Sequence, residues 1–272
     1  MKWKSFLLWV ISVLLMGIIA VYQRTTGPTY PVKAEITIDG MPLSVKLLTS
    51  ADNDKDAVIS VPDTNKILKG YYEFRRFKSD DAWTKYRMHH KEDALVAELP
   101  AQPAAGKLEY RLILIDNNGL EKPINEEPVV IRFKGPVPEA ILIPHVLFMF
   151  LAMVFSLRTG FEALFLRRRT LRLAGITTIL LLVGGLILGP IVQYYAFGDF
   201  WTGWPFGKDL TDTKTLISFI FWVVAWLRLR KDPQNRFWPI LASIVLLAIY
   251  LIPHSMFGSE FDYASGEVQT GK

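Results

Sequence analysis

The sequence predicts a multi-pass α-helical membrane protein of five spans, with an extracytoplasmic all-β sandwich between spans one and two. Three observations predict it. Long apolar runs without acid or base stand near the start of the chain and recur after residue 138, and about 20 apolar residues cross a bilayer. Between them, residues 25–138 turn polar and alternate with a period of two, the mark of strands with one buried face. Finally, lysine and arginine gather in alternate connectors, which orients such a chain.

The first run, Phe6 to Tyr22, follows Lys2 and Lys4. A signal peptide has the same order of charge and apolar run. The run is long and lacks a clean small-x-small cleavage site, so residues 1–24 are expected to stay as an anchor with a cytoplasmic N-terminus. In the next segment Val32 to Ile38 alternates up to a turn at Asp39-Gly40. Gly70 to Phe77 and Trp83 to Met88 read as a hairpin, and Ala94 to Leu99 as a strand. Leu108, Tyr110, Leu112 and Leu114 share one face of a further strand, and Val129, Ile131 and Phe133 line the last one. Each such sheet buries one face, so two sheets are expected to close on each other.

Tyr71-Tyr-Glu-Phe-Arg-Arg-Phe77, Trp83, Leu95-Val-Ala-Glu-Leu-Pro100 and Gly106 to Gly119 follow one order. They run as a paired strand, a tryptophan, a strand ending in proline, and a tyrosine-bearing strand ending at Asp-x-x-Gly. This resembles the fibronectin type III or immunoglobulin-like sandwich over about half of the domain. The chain has no cysteine, which excludes the antibody-type subclass. The resemblance implies a binding or spacer module and brings no catalytic residue with it.

Residues 139–258 are expected to form a four-span helical unit, with residues 259–272 as an extracytoplasmic tail. Its apolar runs are Ala140 to Leu157, Leu173 to Phe197, Thr215 to Leu227 and Phe237 to Phe257. Arg158, Arg167, Arg168, Arg169 and Arg172 fill one connector, and Arg228, Arg230, Lys231 and Arg236 another. Positive charge marks the cytoplasmic side, so the chain is expected in a cell membrane, that of a bacterial inner membrane, with the tail outside. Arg158 and Glu162 stand four apart and can pair along a helix.

The outer connector, residues 197–214, holds the densest chemistry. His145 falls roughly 8 Å below the outer boundary at 1.5 Å per residue, and His254 falls near the outer end of the last run. Both stand in Ile-Pro-His contexts. Pro144, Pro190 and Pro253 share that depth, and each frees backbone groups that need partners. A polar hollow lined by Gln193, Asp199, Lys208, Asp209, Asp212, Lys214, Glu260 and Asp262 is therefore expected beside the two histidines. Trp201 and Trp204 would roof it, stacking on a ligand or sitting at the membrane boundary. Lys214 opens a helix, where the dipole disfavours a cation, and Asp209 and Asp212 are expected to neutralise it. Residues 210–213 are expected to supply the helix cap.

Two imidazoles can ligate haem axially or, with a carboxylate, a divalent metal. Each can equally bond a carbonyl freed by its own proline. Without cysteine there is no disulfide, thiolate metal site or iron–sulfur cluster. No basic-aromatic pattern in the polar domain points to nucleic acid, and no residue is singled out as catalytic. The leading expectation is an accessory or assembly component of an envelope complex, set in the lipid bilayer and binding a partner protein or ligand outside. A haem or metal protein using His145 and His254 is the alternative, and a small-solute transporter the third.

Overall fold

The computed structural model describes residues 2–253 and 258–269. They divide into a helical unit, residues 2–28, 137–253 and 258, and a strand unit, residues 29–136 and 259–269.

In the helical unit α1 spans Lys2–Thr26. Next, α2 spans Glu139–Phe161 and continues as a π turn through Glu162–Leu166. A second continuous run follows: α3 at Thr170–Leu181, a π segment at Leu182–Leu188, and α4 at Gly189–Phe197. It is followed by α5 at Leu210–Lys231 and α6 at Phe237–Leu251. Four helical runs, of 25, 28, 28 and 22 residues, are long and apolar enough to cross a membrane. The expected fifth span falls short, because α6 has 15 residues. Ile252, which precedes Pro253, is extended at φ −81° and ψ 116°, as the proline ring requires of its neighbour. α6 therefore ends at Leu251, and residues 254–257 of the predicted run lie outside the described residues.

Small side chains let these helices close. Ala152, Ala174, Ala225 and Ala242 are fully buried around Trp222. Tyr250 donates its hydroxyl to the Met149 carbonyl at 2.9 Å, and the Ser243 hydroxyl donates to the Ser156 carbonyl at 2.7 Å. At one end of α1, Trp9 packs on Phe155 with ring centres 5.0 Å apart. At the other, Gln23 donates to the carbonyl of Tyr250.

The strand unit also departs from the expected fold. Its strands are β1 (Val32–Ile38), β2 (Met41–Leu47), β3 (Ser50–Asp52), β4 (Ala57–Pro62), β5 (Lys69–Arg76) and β6 (Thr84–Arg87). Then come β7 (His89–Lys91), β8 (Ala94–Leu99), β9 (Lys107–Ile115), β10 (Glu121–Pro123), β11 (Val129–Lys134), β12 (Glu260–Asp262) and β13 (Glu267–Gln269). They form four sheets rather than two closed antiparallel ones. The largest runs β3-β11-β9-β5-β6 with β10 also on β9, and its β3–β11 pair is parallel. The others are β4-β8-β7, β1-β2 and β12-β13. Lys66, Lys78, Glu92 and Ala105 all have positive φ. Lys66 and Ala105 stand where the chain passes between the three-stranded sheet and the largest one, and the all-β sandwich reading gives way to several small, mixed sheets.

Local turn chemistry remains regular. Asp39 and Gly40, both at positive φ, make the two-residue link between β1 and β2, the geometry that matches strand twist. One apolar cluster unites Val45, Ile59, Leu99, Leu112, Ile131 and Phe133. Each such side chain contributes ~1.5–3 kcal/mol when buried.

Candidate functional site

The connector between α4 and α5 is organised by one carboxylate. Asp212 is 8% exposed, and one of its oxygens accepts the backbone N–H groups of Thr202 at 2.8 Å and Gly203 at 3.1 Å. The Thr202 hydroxyl lies 3.3 Å from the same oxygen and accepts the side-chain amide of Gln193 at 2.5 Å. Thr213 takes the N–H of Trp204 on its hydroxyl at 3.0 Å. Gly203 sits so close to α5 that a Cβ there would stand 2.5 Å from Asp212 Cβ and 2.8 Å from the Thr213 nitrogen. Only glycine fits.

Asp209 is the cap of α5, and its carboxylate accepts the Thr211 N–H at 2.7 Å. The cap therefore lies one residue before the expected 210–213 stretch. Lys214, 6% exposed, donates to the Ile252 carbonyl at 3.0 Å. Its cation meets the C-terminal end of α6, where the dipole favours it. The carboxylate of Asp212, expected to neutralise it, is spent on the connector backbone instead.

With the backbone pinned, the aromatic side chains face outward. Phe206 is 86% exposed, Trp204 61% and Phe200 55%. Phe200 stacks on Tyr194 with ring centres 4.4 Å apart. The Trp201 indole N–H donates to the Trp204 carbonyl at 3.2 Å, so this ring braces the loop. Asp199 and Lys208 are exposed on the same loop.

Among the described residues of the helical unit, the expected lining residues take separate partners. Gln193 and Asp212 meet through Thr202, while Lys214 faces the end of α6. Glu260 and Asp262 belong to the strand unit. Glu260 pairs with Lys107 at 2.7 Å and Lys78 at 3.2 Å. Burial raises its pKa, but the two ammonium groups outweigh that and hold it below the ordinary value. Asp262 binds Gln269 at 2.6 Å and the Ala264 N–H at 2.9 Å.

His145 donates from Nδ1 to the Gly184 carbonyl at 2.8 Å. That carbonyl also accepts the Gly189 N–H, closing the π segment just before Pro190. The imidazole thus serves a proline-disturbed helix other than its own. His254 lies outside the described residues. Among the described residues, no group of three histidine or acidic side chains is arranged to hold a metal.

Residue order gave no signal for Thr202 and Gly203, named Thr213 only as part of the expected cap, and gave Glu162 no role beyond pairing with Arg158. Glu162, 1% exposed, pairs with the 2%-exposed Arg158 at 2.7 Å. Its other oxygen accepts the N–H groups of Arg168 and Arg169 at 2.9 and 3.0 Å. Only the four-residue spacing of Arg158 and Glu162 signalled this. The sequence matches no protein-family model and no curated protein.

Proposed function

We propose that this chain is an integral membrane protein that docks a partner protein at its extracytoplasmic face, as an accessory or assembly component of an envelope complex. The supporting observation is the pinned aromatic loop: Phe200, Trp204 and Phe206 are exposed on a backbone fixed by Asp212 and Thr213. A rigid loop loses little entropy on binding, and exposed aromatic rings supply contact area.

Purification in mild detergent tests the reading. The wild type retains one stoichiometric partner, and Trp204→Ala with Phe206→Ala releases it while leaving the melting temperature unchanged. Equal retention by the double variant would contradict the reading.

A second reading is favoured by His145. Its Nδ1–H is spent on a carbonyl, which leaves Nε2 as an acceptor, the state of a metal-ligating histidine. Haem ligation with His254 would give a Soret band lost in His145→Ala, and a colourless protein from haem-supplied cells would end this reading.

A further inference from the structure

We infer that the turn between α2 and α3 is a binding site for the phosphate of an anionic phospholipid. Glu162 shapes this turn. Its backbone carbonyl accepts the Arg167 N–H at 2.7 Å, and Arg167 is left-handed at φ 58°. Its side chain holds the N–H groups of Arg168 and Arg169 and pairs with Arg158. The one carboxylate in the turn is therefore consumed inside the protein and does not neutralise the arginines it positions. Arg167, Arg168, Arg169 and, in the first turn of α3, Arg172 are all exposed.

Directly before them, Leu164 and Phe165 are 45% and 67% exposed. The apolar pair and the arginines together match a lipid boundary, with acyl chain against Phe165 and phosphate against the guanidinium groups. A soluble anion would use the arginines and leave Phe165 without a role. Neighbouring elements add to the basic character. The Ser5 hydroxyl of α1 accepts from Arg158 at 3.0 Å, which brings the first turn of α1, with Lys2 and Lys4, to this end.

The test reconstitutes the full chain in vesicles of equal phosphatidylglycerol and phosphatidylcholine, re-extracts it in mild detergent and quantifies the retained lipid. The wild type is expected to retain mainly phosphatidylglycerol. Arg167→Gln, Arg168→Gln and Arg169→Gln together should lose that enrichment, by about fivefold for each arginine removed. The three lysine replacements should keep most of it, which separates charge from folding. Single glutamine variants give the same reading should the triple variant fail to fold. Equal retention of the two lipids by the wild type would overturn the inference, as would unchanged enrichment in the glutamine variants. Inorganic phosphate alone raising the melting temperature as much as phosphatidylglycerol does would also overturn it, by making free phosphate the ligand. So would a wild type that retains an acidic protein in place of lipid.

Discussion

The two connectors at opposite ends of the helical run Thr170–Phe197 use one device and display different side chains. In each, a buried carboxylate accepts two successive backbone N–H groups. Asp212 takes those of Thr202 and Gly203, and Glu162 takes those of Arg168 and Arg169. A carboxylate so placed satisfies donors that would otherwise be left unpaired. The difference lies in what the fixed backbone presents. One end offers Phe200, Trp204 and Phe206, the other Arg167, Arg168 and Arg169. The device sets rigidity, and the flanking residues set the chemistry of what is met.

The second difference is charge balance, and it predicts the largest effect. Glu162 neutralises Arg158, which is equally buried, whereas Asp212 pairs with no cation among the described residues. Glu162→Ala leaves a buried guanidinium uncompensated and should cost about 3–5 kcal/mol, read as a lowered melting temperature in detergent. Arg158→Met with Glu162→Gln should recover much of that loss. A single variant that melts like wild type would break the parallel between the two turns.

Asp212→Ala should cost about 1–3 kcal/mol through the N–H groups it orphans, and should open the loop to protease before the bundle unfolds. Gly203→Ala tests the same loop from the other side. Its Cβ would press on the backbone of α5, at a cost of about 1–3 kcal/mol. Alanine tolerated there with unchanged protease resistance would mean the loop is not pinned as described.

The strand unit carries the device where pH can reach it. Asp63, 6% exposed, accepts the N–H groups of Ile67 at 3.2 Å and Leu68 at 2.9 Å, with His90 at 2.8 Å. Burial raises its pKa, but the bonds from His90, Leu68 and Ile67 outweigh that and leave it below the ordinary carboxylate value. The folded value lies under the unfolded one, so this stabilisation is present above the unfolded pKa and fades as pH falls through the folded one. Asp63→Asn should flatten the acid limb of the melting-temperature profile, an effect smaller than either bundle substitution. An acid limb identical to wild type would remove Asp63 from the comparison.

Some of this was legible from residue order. Charge-free apolar runs announced the four long helices, Asp39-Gly40 the hairpin turn, and the spacing of Arg158 and Glu162 their pairing. Other features depend on contacts far apart in the chain. Glu260 and Asp262 read as neighbours of a membrane loop because they follow the last apolar run. They join the strand unit, where Tyr263 bonds Gln102 and Glu260 bonds Lys107, more than 150 residues away. No periodicity encodes such pairing. The shortness of α6 was signalled by Pro253, but hydropathy outvoted the proline. Alternation along the polar region fixed which residues of β9 face the core. It could not reveal which strands pair, and so that they divide among four sheets.

Two similarly pinned turns are thus proposed to meet different partners. Photo-crosslinking residues placed at Phe206 and at Phe165, activated in intact membranes and read by mass spectrometry, test it most directly. One discrete protein adduct is expected from position 206 and phospholipid adducts from position 165. Lipid adducts alone from position 206, or a discrete protein adduct from position 165, would contradict it.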